Sequence, residues 1–121
     1  MTIISIINQK GGVGKTTSAI NIAYTTTLLH KKTLLIDIDS QGNTSSGVNI
    51  AKKETKNSSY ELITKEKIKP IKNFNLDIIP SSLKLALLDL DCPPTLSILT
   101  INALVASKYL LIPIETEFFC I

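Results

Sequence analysis

Apolar side chains in this sequence fall into short blocks separated by polar, glycine-rich or lysine-rich stretches, and the spacing inside each block predicts its local structure. Residues 3–7 form an almost unbroken β-branched run, the pattern of a parallel strand covered on both faces. Asn8 to Gly14 interrupts it. From residue 15 to about residue 29 the period becomes helical, with Ala19, Ile20, Ile22 and Ala23 on one side, although Thr25, Thr26 and Thr27 lower the propensity. Residues 33–38 predict a second strand with Asp37 and Asp39 at its end. Strand, glycine loop, helix and strand make a βαβ unit, whose crossover is right-handed.

Residues 42–49 are rich in Ser, Thr and Asn, and lysines dominate from there to Pro70, with a short helix predicted at 60–64. A strand follows at 76–79, stopped by Pro80, then a turn at 91–94, a helix at 96–107 and a last strand at 109–114. No internal repeat or low-complexity linker appears. The alternation predicts an α/β fold, a mostly parallel sheet flanked by helices, in one domain over residues 1–121.

Composition narrows the picture further. A chain of 121 residues can bury a substantial core, which argues against a disulfide scaffold or a disordered tail. Cys92 and Cys120 have no Cys or His at metal-ligand spacing, so reduced thiols in the cytoplasm are expected. The longest apolar run falls well short of the roughly 18 residues that span a bilayer, and no membrane association is expected. Net charge is only +3. The lysines at 52, 53, 56, 65, 67, 69 and 72 alternate with Glu54, Glu61 and Glu66, which reads as a solvated face, with a phosphate-backbone patch as the competing reading. His30 is read as an exposed helix-end residue, and Asp77 and Asp89 as structural.

All five glycines lie in the first 47 residues, and three of them sit in Lys10-Gly11-Gly12-Val13-Gly14-Lys15-Thr16-Thr17. This segment joins a predicted strand to a predicted helix, the context a phosphate-binding loop requires. Gln9 stands at the first glycine position of G-x-x-x-x-G-K-[ST], while Gly14, Lys15 and Thr16 fill the last three. Glycines let successive N–H groups turn toward phosphate oxygens, and the helix N-terminus adds its positive dipole end. Lys15 is placed to reach the β- and γ-phosphates and the Thr16 hydroxyl to ligate Mg²⁺. Asp37 and Asp39 close the next strand, where both could face the metal and the attacking water. Asp91 follows the apolar stretch 85–90, as the second Mg²⁺ anchor of such sites does.

These residues resemble the ParA/Soj partition ATPases, within the larger group that includes MinD. Three blocks carry the likeness: 8–17 (Asn-Gln-Lys-Gly-Gly-Val-Gly-Lys-Thr-Thr), 34–43 (Leu-Leu-Ile-Asp-Ile-Asp-Ser-Gln-Gly-Asn), and 91–96 (Asp-Cys-Pro-Pro-Thr-Leu) running into 99–104. The resemblance implies that Lys10 reaches across an ATP-bound homodimer to the partner's phosphates and that Gly11 permits the close approach. It implies that Lys15 binds phosphate, that Thr16 ligates Mg²⁺ and that Thr17 supports the α-phosphate, so that residues 11–17 hold the nucleotide. Asp39 would position the hydrolytic water, with Asp37 and Asp91 in the Mg²⁺ water shell. ATP, Mg²⁺, nonspecific DNA and a ParB-type protein are the implied partners, with a cytoplasmic, nucleoid-associated location.

Two departures from that family are expected. Its members are longer, and their C-terminal half supplies adenine and DNA contacts, so the chain resembles a C-terminally shortened member. An internal shortening is expected too. Residues 81–90 stand where the family has a helix, a further stretch and a strand leading to the Asp-Cys-Pro-Pro turn. Leu83, Ala86, Leu87 and Leu90 have helical spacing, whereas Asp91 needs a strand before it, and ten residues cannot supply both. The alternatives are an inactive remnant that keeps only the phosphate loop and a MinD-like membrane-cycling ATPase.

Overall fold

A computed structural model describes residues 1–50, 56–89 and 98–114. Ten elements follow one another: β1 (Ile4–Ile6), α1 (Lys15–Leu28), β2 (Thr33–Ile36), α2 (Asn43–Gly47), α3 (Ser59–Ile63), β3 (Ile71–Asn73), β4 (Leu76–Ile79), α4 (Leu85–Asp89), α5 (Ile98–Ala106) and β5 (Tyr109–Leu111). The strands form two sheets. β1 pairs in parallel with β5, Ile4 opposite Tyr109. β2 pairs in parallel with β4, Thr33 opposite Leu76, and β3 adds an antiparallel edge to β4.

α1 is the connection between the sheets and packs on β1, β2 and β4. Its threonine run is compatible with a helix because the hydroxyls turn back onto the helix. Thr26 Oγ1 donates to the Ala23 carbonyl and Thr27 Oγ1 to the Tyr24 carbonyl, both at 2.7 Å. Thr26 also shares a 2.8 Å bond with Thr33, which ties the end of the helix to the start of β2. Ala23 on α1 meets Leu76 and Ile78 of β4 in the core, with Leu35, Val48 and Ile50 around them.

Several expected boundaries move, each for a local reason. β2 stops at Ile36, because the Asp37 carboxylate takes the N–H of Asp39 and bends the chain into a loop. Residues 112–114 continue past β5 without pairing as a strand. α2 and β3 arise in polar stretches where no element was expected. The segment after β4 becomes the short helix α4, with Leu85 fully buried, so the helical spacing prevails over a strand there. The full burial expected of the parallel strands is not reached. Ile4, Leu34 and Ile36 are 45%, 48% and 41% exposed.

Candidate phosphate-binding site

The loop after β1 is held open by its backbone. Gly12 and Gly14 take φ values of 78° and 81°, the left-handed region in which a Cβ is costly. A Cβ placed on Gly11, Gly12 or Gly14 would meet nothing within 4 Å, so the space over the loop is clear. Gly14 is also the N-cap of α1, and no side chain caps that N-terminus or places an acid in its first turn. A 14-residue helix thus presents unmet N–H groups and its positive dipole end to the loop.

Lys15 closes the ring from the other side. Its Nζ donates to the Lys10 carbonyl at 2.8 Å, which holds the ammonium across the loop on a neutral acceptor. An anionic phosphate oxygen is the stronger partner for that ammonium. Asn8 braces the start of the loop. Its Oδ1 accepts from the Lys10 N–H at 2.8 Å, and its Nδ2 donates to the Pro113 carbonyl at 2.7 Å, just past β5. Val13 and Thr16 are half-buried, while Gly11, Gly12, Lys10 and Thr17 are exposed.

The loop after β2 separates the two aspartates. Asp37 is buried, and its carboxylate accepts from the Asp39 N–H at 3.0 Å and the Thr44 N–H at 3.2 Å. Burial pushes the Asp37 carboxyl above its ordinary range, and those hydrogen bonds offset the shift only in part. Asp39 is exposed and takes the Gln41 N–H at 2.9 Å. Its carbonyl accepts the Ser81 hydroxyl at 2.5 Å and the Gly42 N–H at 2.9 Å. The two carboxylates therefore leave the strand differently. One turns into the protein and the other outward, because both residues lie beyond Ile36 and outside the strand alternation.

Buried serines lock this second loop to β4 and α3. Ser59 Oγ donates to the Asp37 carbonyl at 2.6 Å, and the Ser59 N–H donates to the Pro80 carbonyl at 2.8 Å. Ser58 and Glu61 form a capping box at the start of α3, and Lys84 reaches Glu61 at 3.2 Å. Burial raises the Glu61 carboxyl, yet the Ser58 hydroxyl, backbone N–H groups and Lys84 together bring it below its ordinary value. Asn8, Ser59, Ser81 and Thr44 were not among the residues expected at the site. Ser58 and Glu61 had a readable signal in their S-x-x-E spacing. Asp91 and the Asp-Cys-Pro-Pro turn lie outside the described residues.

Comparison with known proteins agrees with this geometry. A family model described as an AAA domain matches the chain in two stretches, residues 1–90 and 87–121. The chain is 38% identical over 148 residues to the chromosome-partitioning ATPase Soj of Treponema pallidum, covering 95% of this chain and 57% of that protein. Those 148 aligned residues exceed the 121 of this chain, so at least 27 positions have no counterpart here. The split between the two matched stretches puts the interruption at residues 87–90. The chain spans between 54% and 60% of the length of the first curated relatives it matches.

Among solved structures, cobyrinic acid a,c-diamide synthase from Mycobacterium smegmatis with bound ADP and magnesium shares the fold. It superposes with a TM-score of 0.84 at 24% identity, covering 100% of this chain and 63% of that one. A proposed plasmid partition protein from Borrelia burgdorferi B31 bound to AMPPNP is 32% identical, with a TM-score of 0.64 over 92% of this chain and 51% of that one. The expected P-loop NTPase fold is therefore present, and the expected internal shortening falls at the predicted place. With the glycine loop open at the uncapped start of α1 and the family match running through both halves, the chain belongs to the AAA domain family and, within it, to the ParA/Soj group.

Proposed function

We propose that this chain is the nucleotide-binding part of a Mg²⁺-dependent, ParA/Soj-type partition ATPase. The observation that carries the reading is the open glycine loop at the uncapped N-terminus of α1, with Lys15 already held across it. Backbone N–H groups of residues 11–14 and the first turn of α1 would receive the phosphates, and Thr17, in that turn, would support the α-phosphate. Lys15 exchanges the Lys10 carbonyl for phosphate oxygens and neutralises the charge that builds there.

The donor set fits Mg²⁺. Among the described residues no cluster of three His, Cys, Asp or Glu side chains stands ready to cage a metal. Mg²⁺ ordinarily uses one or two protein oxygens together with phosphates and water, and the Thr16 hydroxyl at the second position of α1 is such an oxygen. When bound, Mg²⁺ supplies charge stabilisation at the β- and γ-phosphate oxygens. Asp39, exposed after β2, would orient the water that attacks the γ-phosphate in line, while Asp37, which holds the loop, would stand in the water shell of the metal. Asp91 would complete that water shell.

Turnover requires an ATP-bound homodimer, in which Lys10 of a second copy reaches the phosphates past Gly11. A ParB-type protein and nonspecific DNA complete the set of partners, and the cytoplasm at the nucleoid is the place of action. No helix among the described residues is long and apolar enough to cross a membrane. Titration of the chain with a fluorescent ATP analogue in Mg²⁺ tests the reading. Lys15→Ala is expected to weaken binding at least tenfold. Equal affinity in the variant and the natural chain would overturn it.

A further inference from the structure

Asp39 lies where the sheet no longer sets direction. β2 ends at Ile36, and Asp39 is exposed in the loop beyond it. Three of the bonds to Asp39 come from that same loop. Its N–H donates to Asp37 Oδ1 at 3.0 Å, its Oδ1 accepts the Gln41 N–H at 2.9 Å, and its carbonyl accepts the Gly42 N–H at 2.9 Å. Residues 39–42 are therefore a β-turn carrying an Asx bond, with Asp at the first position and Gly at the last. Such bonds fix the shape of the turn. They do not fix how the turn stands against the sheet, because all three join residues of one loop.

A fourth bond comes from elsewhere in the fold. The Ser81 hydroxyl donates to the same Asp39 carbonyl from 42 residues along the chain. Holding that carbonyl fixes the peptide plane after Asp39, and with it the direction of a carboxylate already tied to Gln41. Ser81 is itself firmly based. Pro80 before it has a restricted φ and a carbonyl that accepts the N–H of the fully buried Ser59 at 2.8 Å. After it, Ser82 Oγ takes the Lys84 N–H at 3.2 Å, and the Ser82 carbonyl takes the N–H of the fully buried Leu85 at 3.0 Å. Lys84 in turn reaches the buried Glu61 at 3.2 Å. An anchored hydroxyl thus grips an exposed turn.

We propose that Ser81 is a positioning residue of the nucleotide site: its hydroxyl, by holding the Asp39 carbonyl, aims the Asp39 carboxylate at the attacking water. The proposal rests on the ATPase reading of Asp39 given above. Ser81 acts through Asp39 and is not a catalytic residue. A nucleophile displaced by about 1 Å loses roughly a hundredfold in rate, and the three bonds of the loop remain when the hydroxyl is removed, so the expected loss is smaller than for removing Asp39.

ATP turnover and residue-resolved amide exchange on the full chain test this with Ser81→Ala and Ser81→Thr. The alanine variant is expected to lower kcat at least tenfold with KM within about twofold, and the threonine variant, which keeps a hydroxyl, to recover kcat to within about threefold. Added to Asp39→Ala, Ser81→Ala should lower kcat no further, because the two residues act as one unit. Exchange gives a readout without nucleotide. In Ser81→Ala the Gln41 and Gly42 N–H groups should exchange at least threefold faster, and in Ser81→Thr they should return to the natural rate. The Asp37 N–H, bonded to the Ile79 carbonyl, should keep its rate throughout. Unchanged Gln41 and Gly42 amides overturn the proposal. So does an Asp37 amide that speeds up equally, since the hydroxyl would then stabilise the fold as a whole, and so does a kcat that survives Ser81→Ala but not Asp39→Ala. Full turnover in Asp39→Ala overturns the role of Asp39 and the proposal with it. A natural chain without turnover overturns the ATPase reading, and the amides alone then decide whether Ser81 holds the Asp39 turn.

Discussion

Two turns in this molecule leave the carboxyl end of a parallel strand, pass through a glycine with left-handed backbone and start a helix, yet they finish in opposite states. At the first, Gly14 caps α1 with φ 81°, and among the described residues no side chain makes a capping bond there. At the second, Gly42 caps α2 with φ 61°, and the Asp37 carboxylate takes the Thr44 N–H from below. The backbone device is shared. An acid placed seven residues ahead of Thr44 closes one turn, and among the described residues none does so at the other, which stays open to an external anion. The difference teaches that a glycine-rich turn becomes a ligand site only when the protein withholds its own carboxylate.

The sharpest way to break this comparison is to act on the exposed aspartate. Asp39→Ala is expected to leave nucleotide affinity within about twofold and to lower ATP turnover by a hundredfold or more, the scale set by losing a group that orients a nucleophile. A variant that loses affinity instead would show that the second turn also binds phosphate. Next in size is Asp37→Ala. It leaves the part-buried Asp39 N–H and the buried Thr44 N–H without their acceptor and should cost about 2 kcal/mol in urea unfolding. A cost below about 0.5 kcal/mol would mean that the second turn does not depend on its acid.

A smaller effect separates the two glycines. Gly14→Ala and Gly42→Ala each force a Cβ into the left-handed region and should each cost about 1 kcal/mol of stability. Only the first should weaken nucleotide binding, since the space above Gly14 is open while a Cβ on Gly42 would touch Ser81 at 3.8 Å. The smallest expected effect is on pH. Asp37 has a raised carboxyl, so its burial penalty stands above its folded pKa and is relieved as pH falls toward 3.8. Glu61 has a lowered one, so its contribution is present above 4.5 and is lost as pH falls further. Stability should rise slightly on mild acidification and drop below pH 4.5. In Glu61→Gln the drop from this group should vanish.

The phosphate loop was legible because its signal is local: glycines between a β-branched run and a helical period leave few alternatives for residues 8–16. The strand core was legible for the same reason, since Leu76, Ile78 and Ile79 stand together before a proline. The capping box at Ser58 and Glu61 is readable in its S-x-x-E spacing. β3 was hidden because an edge strand such as Ile71–Asn73 needs only one covered face and carries a lysine on the other. α2 was hidden because its start is supported by Asp37, seven residues upstream, and not by its own sequence.

Hydrophobic period and glycine placement alone determined the strand–loop–helix–strand order and the phosphate loop. These depend on contacts between near neighbours in the chain, which spacing records. Only the tertiary structure decided that Asp37 is buried and Asp39 exposed, because the serines that hold their loop come from residues 59 and 81, far along the chain. It alone showed that, among the described residues, β1 and β2 belong to separate sheets. Whether a strand has a partner on each side depends on what folds beside it, and no periodicity along the strand encodes that.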